Sequence, residues 1–117
     1  PSYGLSDDDI ARMLQDSFST ANQDMQSRAL IEARVEADRM WLATQSALQA
    51  DGDLLNETER AQIQGLMDAA LAAKSLEDAK AIEAATDALA KGTEAFAAMR
   101  MNRGIQHALA GQNIETL

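Results

Sequence analysis

Apolar side chains recur at three- and four-residue steps along nearly the whole chain, and nowhere do β-branched residues alternate with polar ones. That periodicity is helical and predicts no strands. Ile10, Met13, Leu14, Phe18, Ala21 and Met25 form a first stripe. Leu30, Ala33, Ala37, Met40, Trp41, Thr44 and Leu48 form a second, with slightly shifted phase. The shift predicts two helices, over about 7–20 and 22–50, joined directly near Asn22. No Pro or Gly lies between Ser6 and Ala50, a run longer than ordinary helices reach without a bend, a coiled coil or a partner. The start is strongly marked. Ser6 has the chemistry of an N-cap, and Asp7, Asp8 and Asp9 place negative charge at the positive end of the helix dipole. Leu5 and Ile10 have the spacing of a hydrophobic staple.

Asp51-Gly52-Asp53 stops this run, with Gly52 suited to a left-handed C-cap. Asn56 followed by Glu59 is a capping-box pattern, and Ile63, Leu66, Met67, Ala70 and Leu71 are the expected buried face of the helix behind it. Lys74-Ser75 breaks the pattern. Ser75 is the expected cap of a further helix, with Glu77 and Asp78 in its first turn and Ala79, Ile82, Ala85, Thr86 and Leu89 facing inward. Gly92 marks a junction to a last helix bearing Phe96, Met99, Ile105 and Leu109, which Gly111 is expected to end.

The fold class that follows is all-α. It is a small antiparallel bundle made of the second half of 22–50 and three shorter helices, since short connections make sequential helices antiparallel neighbours. Residues 1–5 read as a junction, 6–50 as the helical arm and its continuation, 51–111 as the shorter helices, and 112–117 as a polar tail. The arm has nothing left to pack on. Either it folds back over the bundle or its apolar stripe meets a partner.

Composition sharpens this. Ala supplies much of the apolar content and aromatics are only 3% of the 117 residues, which favours closely approaching helices. A net charge of −9 repels phosphate backbones and argues against nucleic acid. There is no Cys, so disulfides and thiolate metal sites are excluded. No apolar run approaches the roughly 20 residues of a membrane span, and no signal-peptide pattern is seen. The first residue is Pro rather than Met, and a piece excised from a longer protein is expected.

Catalytic patterns are missing. His107 is the single histidine, without a Glu-x-x-His partner for a carboxylate-bridged metal pair. Asp51-Gly52-Asp53 lacks a twelve-residue calcium loop, and Asp7–Asp9 is explained by helix electrostatics. No phosphate loop or nucleophile motif appears. The expectation is a binding module that is not an enzyme, with no metal or cofactor of its own. The docking candidates are Met13, Leu14, Phe18 and Met25, whose flexible thioethers and large apolar groups suit an adaptable interface. Met40, Met67 and Met99 are expected in the core and Met101 outside it. Charges of both signs along 28–39 are either a solvated face or a docking edge.

The stretch PSYGLSDDDIARML resembles the junction in heat-shock-70 chaperones where the peptide-binding β-sandwich meets its helical lid, through Gly4, Leu5, Ser6, Asp7, Asp8, Asp9, Ile10, Arg12 and Met13. LIEARVEADRM is similar to the family's next helix at Leu30, Glu32, Ala33, Arg34, Ala37 and Asp38. PSYGL and FAAMRMNRGIQHALAG look like the branch of the family that serves iron–sulfur cluster assembly. The resemblance covers essentially the whole chain. It implies a lid that closes over client peptide held in a β-sandwich, controlled by ATP and Mg in a separate amino-terminal domain. The implied client is a peptide of an iron–sulfur scaffold protein, the implied co-chaperone is of the J type, and the implied location is the bacterial cytoplasm. Arg34 and Asp38 match positions on the latch side of the lid. Leu42 stands where some members carry His, which implies a weaker or differently built closure; Trp41 stands where an aliphatic residue is commoner and either belongs to the core or flanks the latch. The alternative is a free-standing helical oligomerisation domain. In isolation the arm is expected to straighten into one rod and to pair as a homodimer.

Overall fold

The computed structural model describes residues 4–115, with side chains described as far as Gly111. Residues 1–3 of the expected junction and 116–117 of the expected tail lie outside that range. Helix α1 spans Asp7–Asp51, 45 residues without interruption. The predicted junction near Asn22 is therefore absent, because a drift in apolar phase does not break backbone hydrogen bonds and no Pro or Gly intervenes. At its start the Asp9 N–H donates to Ser6 Oγ at 3.1 Å and the Ser6 N–H donates to the Asp9 carboxylate at 3.3 Å.

A 3-10 turn, Gly52–Leu54, ends α1. Gly52 has φ −59°, not the left-handed conformation expected of it. A Cβ there would meet only the end of the flexible Arg60 side chain, so neither its backbone conformation nor its packing demands a glycine. Helix α2, Glu57–Ala73, starts with the expected box: the Glu59 N–H donates to Asn56 Oδ1 at 2.8 Å, and the Asn56 N–H to Glu59 Oε1 at 3.0 Å. Helix α3 spans Ala79–Gly92 and is capped by Asp78, which accepts from the Lys80 and Ala81 N–H groups. Ser75, the expected cap, lies instead in a turn whose N–H groups return to α2 carbonyls, Ser75 to Ala72 and Leu76 to Ala73. Helix α4, Glu94–Glu115, runs through Gly104 and Gly111. Gly111 does not end it: a glycine costs a helix about 1 kcal/mol but removes no hydrogen bond.

The second half of α1 packs chiefly on α3, and α3 on α2. One cluster joins Ala47, Ile63, Met67, Ala70, Leu89 and Phe96, with Met40, Trp41, Leu48 and Leu66 around it. A second joins Ala33, Ala37, Ala73 and Ile82 beside Leu30. The middle of α1 thus meets the end of α2 and the start of α3, while its end meets the opposite ends of both. This places α2 antiparallel to its two neighbours. Alanines on α1 let the backbones close in, and the buried Thr44 and Thr86 hydroxyls donate to the carbonyls one turn back, of Met40 and Ile82.

Some expected core residues lie outside. Leu71 is half exposed, and Ile105 and Leu109 are 51% and 53% exposed because α4 leaves the bundle after its first turns. The described residues extend 92 × 35 × 16 Å with a radius of gyration of 24.2 Å, against about 13 Å for a compact chain of this size. The arm and α4 account for the difference.

Candidate docking surface

Every residue from Ile10 to Arg28 is exposed, because the bundle begins only at Leu30. Phe18 is 77% exposed, Met25 67%, and Met13 and Leu14 57% each. The structure brings these four onto one uninterrupted helix but covers none of them. A run of large apolar groups on a single arm is far beyond the scattered singles of an ordinary surface. Sequence reasoning missed Ile31, Val35 and Leu42, which are also exposed, on the side of α1 turned from Ala33, Ala37 and Thr44. Their steps of four and seven were a readable signal, but it was masked by the stronger stripe on the bundle side.

Arg34 and Asp38, the pair expected on the latch side, lie one turn apart on α1 and both engage the turn that follows α2. Arg34 Nε donates to the Lys74 carbonyl at 2.9 Å and Nη2 to the Leu76 carbonyl at 3.0 Å. Both carbonyls lie at the negative end of α2, whose last turn has no basic side chain. Asp38 Oδ1 forms an ion pair with Lys74 Nζ, leaving the Asp38 side chain 52% exposed and Lys74 26%. Nearby Glu36 and Arg39 pair at 3.7 Å in open solvent, where such contacts contribute little. Trp41 lies against the first core cluster, with its indole Nε1 buried and without a hydrogen-bond partner.

At the far end, Asp51 and Asp53 bind arginines of α4. Arg100 Nε donates to Asp51 at 2.8 Å, and Arg103 bridges Asp51 at 3.1 Å and Asp53 at 2.6 Å. The Arg100 hydrogen bond, with Arg103 behind it, holds the Asp51 carboxyl below its ordinary range against the opposing effect of desolvation. Arg103 does the same for Asp53 and is itself pushed up by that carboxylate. Arg100 also lies 6.0 Å from the Phe96 ring centroid. His107 lies on the exposed part of α4. Among the described residues no cluster could hold a metal ion, and no helix is long and apolar enough to cross a membrane.

A long helix with a bare apolar arm is clasped to a small helical bundle, and the chain belongs to the heat-shock-70 family: the family model described as Hsp70 protein matches residues 1–102. Its relatives are more particular. Over its whole length the chain is 68% identical to the chaperone protein HscA homolog of Delftia acidovorans and 66% identical to that of Verminephrobacter eiseniae. It is 58% identical to the HscA homolog of Burkholderia cenocepacia. The chain spans 19% of the length of each of these relatives.

Proposed function

We propose that this chain is the helical lid of an HscA-type chaperone, closing over client peptide in an adjoining β-sandwich and slowing its release. The observation that carries the reading is the bare arm, Asp7 to Arg28, whose Met13, Leu14, Phe18 and Met25 have no cover within the bundle. In this reading the sandwich supplies the cover, and Asp38, on the same helix beyond the arm, supplies a polar contact to its loops. The segment performs no catalysis. Hydrolysis belongs to an amino-terminal domain that holds ATP and Mg, and the conformational change there shifts the lid between open and closed. The client is a peptide of an iron–sulfur scaffold protein and the co-chaperone is of the J type, in the bacterial cytoplasm.

The test is the release rate of a labelled client peptide from the ADP-bound chaperone, with and without this segment. Release should be markedly faster without it while basal ATP hydrolysis continues. Equal release rates would remove the lid reading.

A further inference from the structure

Arg34 and Asp38 are not two bare latch groups. Both face the turn after α2, and one residue of that turn, Lys74, meets both: its carbonyl accepts from Arg34 Nε, and its ammonium pairs with Asp38. Arg34 also holds the Leu76 carbonyl two residues on, so its planar guanidinium fixes the turn backbone at two points. With that backbone fixed, the Lys74 ammonium is delivered to one Asp38 oxygen. The Asp38 side chain remains 52% exposed, which leaves it accessible to a second partner.

We propose that Lys74 is a positioning residue that restrains the latch, competing for the Asp38 carboxylate with a cationic or N–H donor group of the β-domain. This rests on the lid reading and on Asp38 as its docking carboxylate. A carboxylate already paired with one ammonium attracts a second cation less, and Lys74 repels that cation directly. Closure is thereby held below its full strength, which suits a lid that must reopen in every ATP cycle. Arg34 has a different part. Its Nε and Nη2 donate to backbone carbonyls, so it secures the turn that carries Lys74.

The experiment compares peptide release from the ADP-bound full-length chaperone for wild type, Lys74→Met, Lys74→Arg and Asp38→Asn, and for Lys74→Met combined with Asp38→Asn. Lys74→Met keeps the apolar stem and removes the charge. It should slow release about two- to fivefold, within what an exposed pair can command. Lys74→Arg should restore the wild-type rate. In the Asp38→Asn background Lys74→Met should have no effect on release. The thermal midpoint of the isolated lid reports structural damage separately and should be nearly unchanged in Lys74→Met, because Arg34 binds main chain only. Unchanged or faster release in Lys74→Met overturns the proposal while leaving the lid reading in place, provided Asp38→Asn still accelerates release. If Asp38→Asn leaves release unaltered, this proposal falls together with the latch role of Asp38, and deletion of the whole segment then decides the lid itself.

Discussion

Phe96→Ala should cost about 3 kcal/mol and release α4 from the bundle. Among the α4 side chains described, Phe96 is the one that is fully buried, at 3% exposure, inside the cluster of Ala47, Ile63, Met67, Ala70 and Leu89. Large-to-small truncations of aromatic core residues cost about 3–5 kcal/mol, part of it from the cavity left behind. The lower end applies here because Phe96 borders an open groove with Met40, Ala43 and Ala97, so water or neighbouring side chains can refill the space. Loss of the Arg100 contact with the ring adds about 0.5 kcal/mol at an exposed site. The assay is urea unfolding of the isolated chain followed by fluorescence of Trp41, which packs against the same cluster. Leu109→Ala, on the exposed part of the same helix, is the control and should stay within about 0.5 kcal/mol of wild type. A Phe96→Ala loss no larger than that control would refute the packing argument, since it would mean that α4 is not seated through this ring.

Acid should loosen α4 at the same end. The folded-state carboxyls of Asp51 and Asp53 lie below their ordinary value of 3.8, so their contribution is complete above that value and is lost as pH falls through the depressed range. Amide protection factors along α4, corrected for the intrinsic pH dependence of exchange, should therefore fall below about pH 4, and Asp51→Asn should blunt the acid dependence; a flat profile in wild type would contradict the ion-pair anchor. The isolated chain should also pair through its arm, because each large apolar side chain gains about 1.5–3 kcal/mol on full burial. Sedimentation at several concentrations should show a symmetric dimer that Leu14→Glu with Phe18→Glu abolishes, and a strict monomer at every concentration would argue against it.

Much was legible because the signals are local. The Ser6 and Asn56 caps need only a few residues to act, and the Ala-rich three- and four-residue steps report a helix whatever surrounds it. For the same reason the all-α class and the bare arm could be read before any coordinates. The candidate site was half legible: Met13, Leu14, Phe18 and Met25 stood out as a stripe, whereas Ile31, Val35 and Leu42 did not. Where two signals competed locally, the reading failed. Asp78 took the cap expected of Ser75, and Gly111 lay inside a helix it was expected to end.

The sequence by itself determined the helices, their approximate limits and the apolar excess of the arm, since these depend on backbone geometry and side chains within a turn or two of one another. Only the tertiary structure decided that Arg34 and Asp38 converge on Lys74, 40 residues beyond Arg34, and that Arg100 and Arg103 close on Asp51 and Asp53. Such pairings follow from how far each helix runs before its neighbour turns back, and that distance is set by the packing of Ala33, Ala37, Ala73 and Ile82. A charge carries no mark of its partner in the chain; the fold supplies the partner by bringing two helix ends to the same place.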